Sequence, residues 1–511
     1  VWLASLQAAA DFLRARSGKT ELCVFGALIG GTLATVFAAS RTDVSGLVLW
    51  GALPSGRALL RELIAFRAVT PANSRGARAS DWEEGDQEAV GFLITRATAD
   101  QIAALDLLKL EGRIARVVAV FRRNRALPVE PLVEHLRRAG AEVHVQPRAL
   151  VDIAEIEDDH AQPPYALLDE MLAWWTRAYP EVSASLAERA LGEALDPSVH
   201  MQSRRGVPVE ESVVRFGDDG GIFGIVTRVP DARDARKSHA QPAVVFVNGG
   251  GTHRAGINRN YTEWARDLAA RGLLALRIDL RGLGDSPPLR PEHLGVLRRD
   301  DSRKDIRDAV TFLQRQLNAS SVTCVGLCLG GYQAFHSALE DSRISGLVML
   351  NPLRFRPVGE GPSKELQYLA LTQYARAALT LDPWVRLARG RVNVRGIAKS
   401  VATRGVNSAA ASVRALKARL AGGRAAPATW IAEKFVELTE RGCHVLLVFS
   451  AGDGIVELFE EEIALDRARL QATGRLAIEV MHDTDHIFTP LFSQERVGEI
   501  LERALVSWTQ S

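Results

Sequence analysis

Short, almost wholly apolar runs recur along the chain, separated by stretches in which hydrophobic positions return every three or four residues. Ala243-Val244-Val245-Phe246-Val247 is the plainest of these runs. A strand with no polar face is buried on both sides, and the helical stretches between runs supply its cover. Runs at 22–25, 46–50 and 116–121 fall in the first 180 residues. Runs at 243–247, 273–278, 322–325, 346–350, 445–449 and 477–481 fall in the remainder, led by strand pairs at 212–216 and 221–229. Strands alternating with helices predict an α/β fold with doubly wound, mostly parallel sheets, whose ligands gather at the carboxyl ends of the strands.

The pattern is written twice. Val325-Gly326-Leu327-Cys328-Leu329-Gly330-Gly331 is matched by Phe25-Gly26-Ala27-Leu28-Ile29-Gly30-Gly31. Ile344-Ser345-Gly346-Leu347-Val348-Met349 is matched by Val44-Ser45-Gly46-Leu47-Val48-Leu49, with no insertion in between. A repeat this long is a duplicated domain, not a solenoid unit. We expect one domain over 1–180, a polar linker at 181–208 with one short amphipathic helix, and a second domain over 209–511. The helix at 306–317 follows about four strands, whereas its counterpart opening at Trp2 follows none. The first domain is therefore expected to lack its opening strands, with any targeting signal lost alongside them. After Asn351 the alternation stops, and a mostly helical insertion at about 352–441 stands where a lid over the site belongs.

The chemistry concentrates in the second copy. Gly326-x-Cys328-x-Gly330 lies between an apolar strand and a helix, so the thiol sits on a strained turn whose glycines remove colliding side chains. The helix N-terminus places positive partial charge and free N–H groups beside the sulfur. The Leu329 N–H is one candidate oxyanion donor; Gly249 and Gly250, after the 243–247 strand, are the candidates for the other. Asp453, in the turn after the 445–449 strand, is the candidate acid, although Gly452-Asp453-Gly454 is also ordinary turn chemistry. His486, after the last strand, is the candidate base, with His482 as its competitor. Cys, then Asp, then His is the chain order of a nucleophile elbow and its triad. Asp279 and Asp285 read as loop braces, and His253 and His336 as structural or substrate-facing.

Composition narrows the classes. At 511 residues, with 47% hydrophobic and 24% charged positions, the chain has room for two globular domains. A formal charge of +2 gives no reason to expect nucleic acid, and no apolar run reaches the roughly 20 residues of a membrane span. Cys23, Cys324, Cys328 and Cys443 lie in apolar contexts without metal-ligand spacing, so a reducing, cytoplasmic compartment and no metal are expected. One stretch departs from the mixed surface. Residues 384–424 hold Arg386, Arg389, Arg391, Arg395, Lys399, Arg404, Arg414, Lys417, Arg419 and Arg424 and no acidic residue. A solvated helical face is one reading; a docking face for an anionic donor, an acidic carrier protein or an anionic glycan is the other.

These residues resemble the α/β-hydrolase superfamily, over all of 210–511 and in truncated form over 1–180. Asp279-Leu280-Arg281-Gly282-Leu283-Gly284-Asp285-Ser286 is similar to its Asp-x-Arg-Gly-x-Gly-x-Ser loop, and Asn248-Gly249-Gly250 stands where an oxyanion His-Gly is usual. The Cys nucleophile is similar to that of dienelactone hydrolases and polyhydroxyalkanoate synthases, and the wider text to hydrolases of bacterial exopolysaccharide and exosortase systems. The resemblance implies small-molecule acyl ester or thioester substrates and no metal or organic cofactor. The expected activity is an acyl hydrolase, esterase or thioesterase, working through acyl-Cys328. The alternative is an acyltransferase with the same first half-reaction, and the third reading is a non-catalytic binding protein. The first domain fails the same test. Leu28 cannot attack a carbonyl, Arg125 stands where the acid should fall, and Asp159-His160 is at most a relic of a histidine loop.

Overall fold

The computed structural model describes residues 1–66, 82–122, 129–146, 165–179, 197–230, 240–289, 301–352, 354–357, 429–451, 455–464 and 466–509. They fall into two compact units, one within 1–196 and one within 197–511.

The first unit runs α1 (Trp2–Ser17), β1 (Leu22–Ala27), α2 (Ile29–Ala39), β2 (Val44–Trp50), α3 (Gly56–Phe66), β3 (Gln87–Ala89), β4 (Phe92–Ile94), α4 (Arg96–Ala103), β5 (Val117–Phe121), α5 (Glu130–Arg138), β6 (Glu142–Val145) and α6 (Tyr165–Ala178). Four strands form a parallel sheet in the order β1-β2-β5-β6, and β3 and β4 pair separately as an antiparallel hairpin. Alternate residues of β2 and β5 enter different cores. Leu47, Leu49, Val118 and Val120 join one cluster, while Val48, Ala119 and Phe121 join another with Leu167, Met171 and Trp174 of α6. Both faces of this sheet are thus covered, which is why its strands read as unbroken apolar runs.

The second unit runs β7 (Ser198–Gln202), β8 (Pro208–Phe216), β9 (Ile222–Arg228), β10 (Gln241–Val247), α7 (Asn260–Ala269), β11 (Leu274–Asp279), α8 (Asp301–Gln316), β12 (Ala319–Leu327), α9 (Leu329–Glu340), β13 (Ile344–Leu350), a helix at Trp430–Glu440, β14 (His444–Ser450), helices at Ile455–Ile463 and Arg467–Ala472, β15 (Leu476–Met481) and a closing helix at Leu491–Trp508. Its nine described strands lie in the order β15-β14-β13-β12-β10-β11-β9-β8-β7. The six from β15 to β11 pair in parallel, and β9, β8 and β7 are added antiparallel. Ala243, Val245 and Val247 of β10 face one apolar cluster with α8 and α9. Val244 and Phe246 face the other, with α7 and the closing helix. The α/β, doubly wound, mostly parallel architecture follows from this two-sided burial.

Several stretches differ from the sequence reading, among them β6 and the β3–β4 hairpin, which fall outside the expected runs. Ser198–Gln202, within the expected linker, is a strand paired antiparallel with β8, and its Ser198 hydroxyl meets that of Ser212 at 2.8 Å. An edge strand with its side chains largely in solvent lacks the apolar run that marks its buried neighbours. Trp430–Glu440, within the expected lid, buries Ile431, Phe435 and Leu438 in the core, so it covers the sheet. Residues 358–428, with Arg386, Arg389, Arg391 and Arg395, lie outside the described residues, as do Arg125, Asp159-His160 and 180–196 of the linker. Among the described residues no helix is long and apolar enough to cross a membrane.

Candidate active site

Cys328 occupies the single position between β12 and α9, with φ 56° and ψ −118°. A non-glycine residue held there costs about 1–3 kcal/mol, so its surroundings must impose the turn. They do so through the backbone. The Cys328 N–H donates to Leu350 O at the end of β13 (2.8 Å), and the Cys328 carbonyl accepts the N–H of Tyr332 (3.3 Å) as α9 begins. The N–H groups of Leu329 and Gly330 precede that first helical bond and so belong to the unfilled first turn. A Cβ at Gly326 would collide with the Gly330 backbone, and one at Gly330 would lie 2.6 Å from the carbonyl oxygens of both Val247 and Asn248. The glycines of the Gly-x-Cys-x-Gly motif therefore press the turn against the end of β10.

That contact brings the two sets of oxyanion candidates together. Gly249 packs on the Leu327 carbonyl, 3.1 Å from where its Cβ would stand, and Gly250 turns the loop away at φ 58°. Asn248, fully buried, anchors the loop. Its amide donates to Thr252 O (2.9 Å) and Asp279 Oδ1 (3.3 Å), and its Oδ1 accepts the Leu280 N–H (2.8 Å). Asp279 also accepts the N–H groups of Arg254 (2.7 Å) and Asp285 (3.0 Å) and the Arg254 guanidinium, which reaches Asp285 at 2.7 Å. Both aspartates are braces for the loops beside the turn.

Tyr261 was not singled out by sequence. Its hydroxyl donates to Val247 O (3.1 Å) and accepts the Leu327 N–H (2.9 Å), bridging the ends of β10 and β12 one residue from Cys328. Burial pushes this phenol well above its ordinary range, and a negative charge on nearby Cys328 acts in the same direction. Only its place on a buried α7 face hinted at it; the hydroxyl's partners are set by tertiary contact.

The base candidate lies in the loop after β15. Ile487, next to His486, packs against the same apolar cluster as Cys328. The His486 carbonyl accepts the side-chain amide of Asn351 (2.8 Å), and His482 in the same loop is exposed. Asp453 lies outside the described residues. The segments leading to Asp453 and to His486 nevertheless emerge side by side, because the Ala451 N–H donates to Met481 O (2.7 Å). His253 turns back to accept the Ala255 N–H at Nδ1 (3.2 Å). His336 is buried against the Phe355 carbonyl at 2.8 Å, among Phe335, Tyr332 and Trp430.

The first unit repeats the turn without the thiol. Leu28 has φ 51° and ψ −122°, and its N–H donates to Trp50 O at 2.8 Å. Gly51 continues as Asn351 does, its N–H donating to Phe121 O (3.0 Å) where Asn351 donates to Val448 O (2.9 Å). In the described sheet β1 is an edge, and Phe25 is 52% exposed where its counterpart Val325 is fully buried beside β10.

No curated protein matches the chain. Among solved structures it is similar to a dienelactone hydrolase from Anabaena variabilis ATCC 29413, at 14% identity over 58% of this chain and 96% of that one, with a TM-score of 0.33. An esterase from Pyrococcus furiosus matches at 14% identity over 62% and 98%, with a TM-score of 0.31. Brefeldin A esterase, a bacterial homologue of human hormone-sensitive lipase, matches at 19% identity over 67% and 86%, with a TM-score of 0.35. Residues 242–382, the segment that carries β10, its glycine loop and the Cys328 turn, match the alpha/beta hydrolase fold family.

Proposed function

We propose that the chain is an acyl hydrolase, an esterase or thioesterase, in which Cys328, His486 and Asp453 act as nucleophile, base and acid. The observation that carries this reading is the Cys328 turn, with a positive-φ thiol at the N-terminus of α9 against the Gly249–Gly250 loop. In the first half-reaction the Cys328 sulfur bonds to the carbonyl carbon of the substrate, and His486 takes the thiol proton. The N–H groups of Leu329 and of the glycine loop receive the developing oxyanion. Collapse breaks the bond to the alcohol or thiol, which leaves with the proton from His486. Water, deprotonated by His486, then attacks the acyl-Cys328 carbonyl, and the acid departs as the thiol is restored. Asp453 orients the imidazole and stabilises its charged form.

The test is turnover of short-chain aryl esters and acyl thioesters by the wild type and Cys328→Ala, with intact-mass analysis of each. The proposal expects loss of turnover in C328A, and an acyl mass increment on wild type that C328A does not acquire. Unchanged turnover by C328A would sink the mechanism. Including an alcohol acceptor in the same assay reads transfer directly, as ester product formed in place of free acid.

A further inference from the structure

We infer that Asn351 is a positioning residue for this reaction, its side-chain amide fixing the acid-bearing strand end to the base-bearing loop. The inference rests on the Cys328–Asp453–His486 reading above. Asn351 follows β13, is fully buried and has φ 39°. Its Oδ1 accepts the N–H of Ser450, the last residue of β14 and three positions before Asp453, at 2.7 Å. Its Nδ2 donates to the carbonyl of His486 itself at 2.8 Å. The residue before it, Leu350, accepts the N–H of Cys328 at 2.8 Å. The dipeptide Leu350-Asn351 thus bonds to the nucleophile, to the strand that delivers the acid and to the base.

The first unit supplies an internal comparison. There the Cys328 backbone bond is reproduced by Leu28 and Trp50, and the Asn351 backbone bond by Gly51 and Phe121. The backbone path is kept, at φ 62° for Gly51, while the thiol and the amide are both absent. An amide needed only to close this strand end would be needed in both units. Present only beside the thiol, it serves what the thiol does. A catalytic imidazole must be held within about 0.5 Å of its working position, and a 1 Å displacement costs about 10²-fold in rate.

The test compares wild type with Asn351→Gly and Asn351→Asp, using C328A as the control. Glycine suits a positive φ, so N351G keeps the backbone path of Gly51 and is expected to fold, which its melting temperature reads. We expect kcat for a small aryl ester to fall about 10²-fold with KM little changed. We also expect the acidic limb of the pH profile to move to lower pH, because an imidazolium farther from its carboxylate gives up its proton more readily. N351D retains an acceptor for Ser450 but adds a carboxylate beside the His486 loop; its charge favours the imidazolium, so kcat should fall with the acidic limb moved to higher pH. Wild-type kcat and pH profile in both variants would overturn the inference, as would a loss of kcat that tracks melting temperature with no pH shift. Turnover surviving in C328A would instead overturn the nucleophile reading, so the two failures are distinguishable.

Discussion

At the scale of single residues, two buried side chains beside the turn, Tyr261 and Asn351, bond to backbone groups at both of their ends. Tyr261→Phe removes one oxygen while leaving the ring packed on Phe246 and Trp264. It strands the Leu327 N–H and the Val247 carbonyl, and an unsatisfied buried group costs about 1–3 kcal/mol. The expected outcome is a lower melting temperature together with a lower kcat; a loss of neither would mean the strand ends hold their spacing without the bridge. Asp305 gives a pH test. Burial, outweighing the bonds to Arg281, raises its carboxyl to about 6 from an ordinary 3.8. A raised carboxyl contributes stability below pH 3.8 that is lost as pH rises through about 6. Asp305→Asn should therefore gain in melting temperature relative to wild type between pH 4 and 6 and hold that gain above it, as calorimetry across the range would read; a gain that shrinks would show the Arg281 pairing to dominate. Cys328 and His486 could be proposed from sequence because each follows an apolar run in a fixed chain order. Tyr261 and Asn351 could not, because their partners are carbonyls and N–H groups of strands far away in the chain, and Asn351-Pro352 reads equally well as the start of an insertion.

At the scale of elements, every buried parallel strand of both sheets' centres was legible, since burial on two faces leaves mostly apolar residues, Arg277 of β11 being a buried exception. What escaped was the β3–β4 hairpin, the edge strands β6 and β7, whose side chains lie largely in solvent, and the role of Trp430–Glu440, whose apolar positions say that it is covered but not by what. The junction of β12 with α9 yields a sharper expectation. Gly330→Ala drives a Cβ to 2.6 Å from two carbonyl oxygens at the end of β10, whereas Gly30→Ala, at the matching position in the first unit, meets nothing within 4 Å. Overpacking of this kind costs about 1–3 kcal/mol. G330A should lose both stability and esterase activity, and G30A should lose neither; equal behaviour of the two variants in thermal melts would show that the turn does not rest on β10.

At the scale of the whole molecule, the repeated turn is a comparison between two versions of one geometry in one chain. Replacing Leu28 by Cys in a C328A background puts a thiol on a turn of nearly the same φ and ψ. That unit has Gly51 in place of Asn351, and no described strand lies beside β1 in the position of β10. No ester turnover and no acyl adduct are expected, and either one would show that a thiol on this turn is sufficient. The positive-φ turn itself, at 56° in one unit and 51° in the other, has a wider consequence. A strained backbone at a strand-helix junction invites a functional explanation, yet here it survives with a leucine that can do no chemistry. Its origin is the bond to the neighbouring strand, 2.8 Å in both units, which any side chain at that position inherits. The turn is a socket built by the sheet, and whether it is live depends on what is plugged into it.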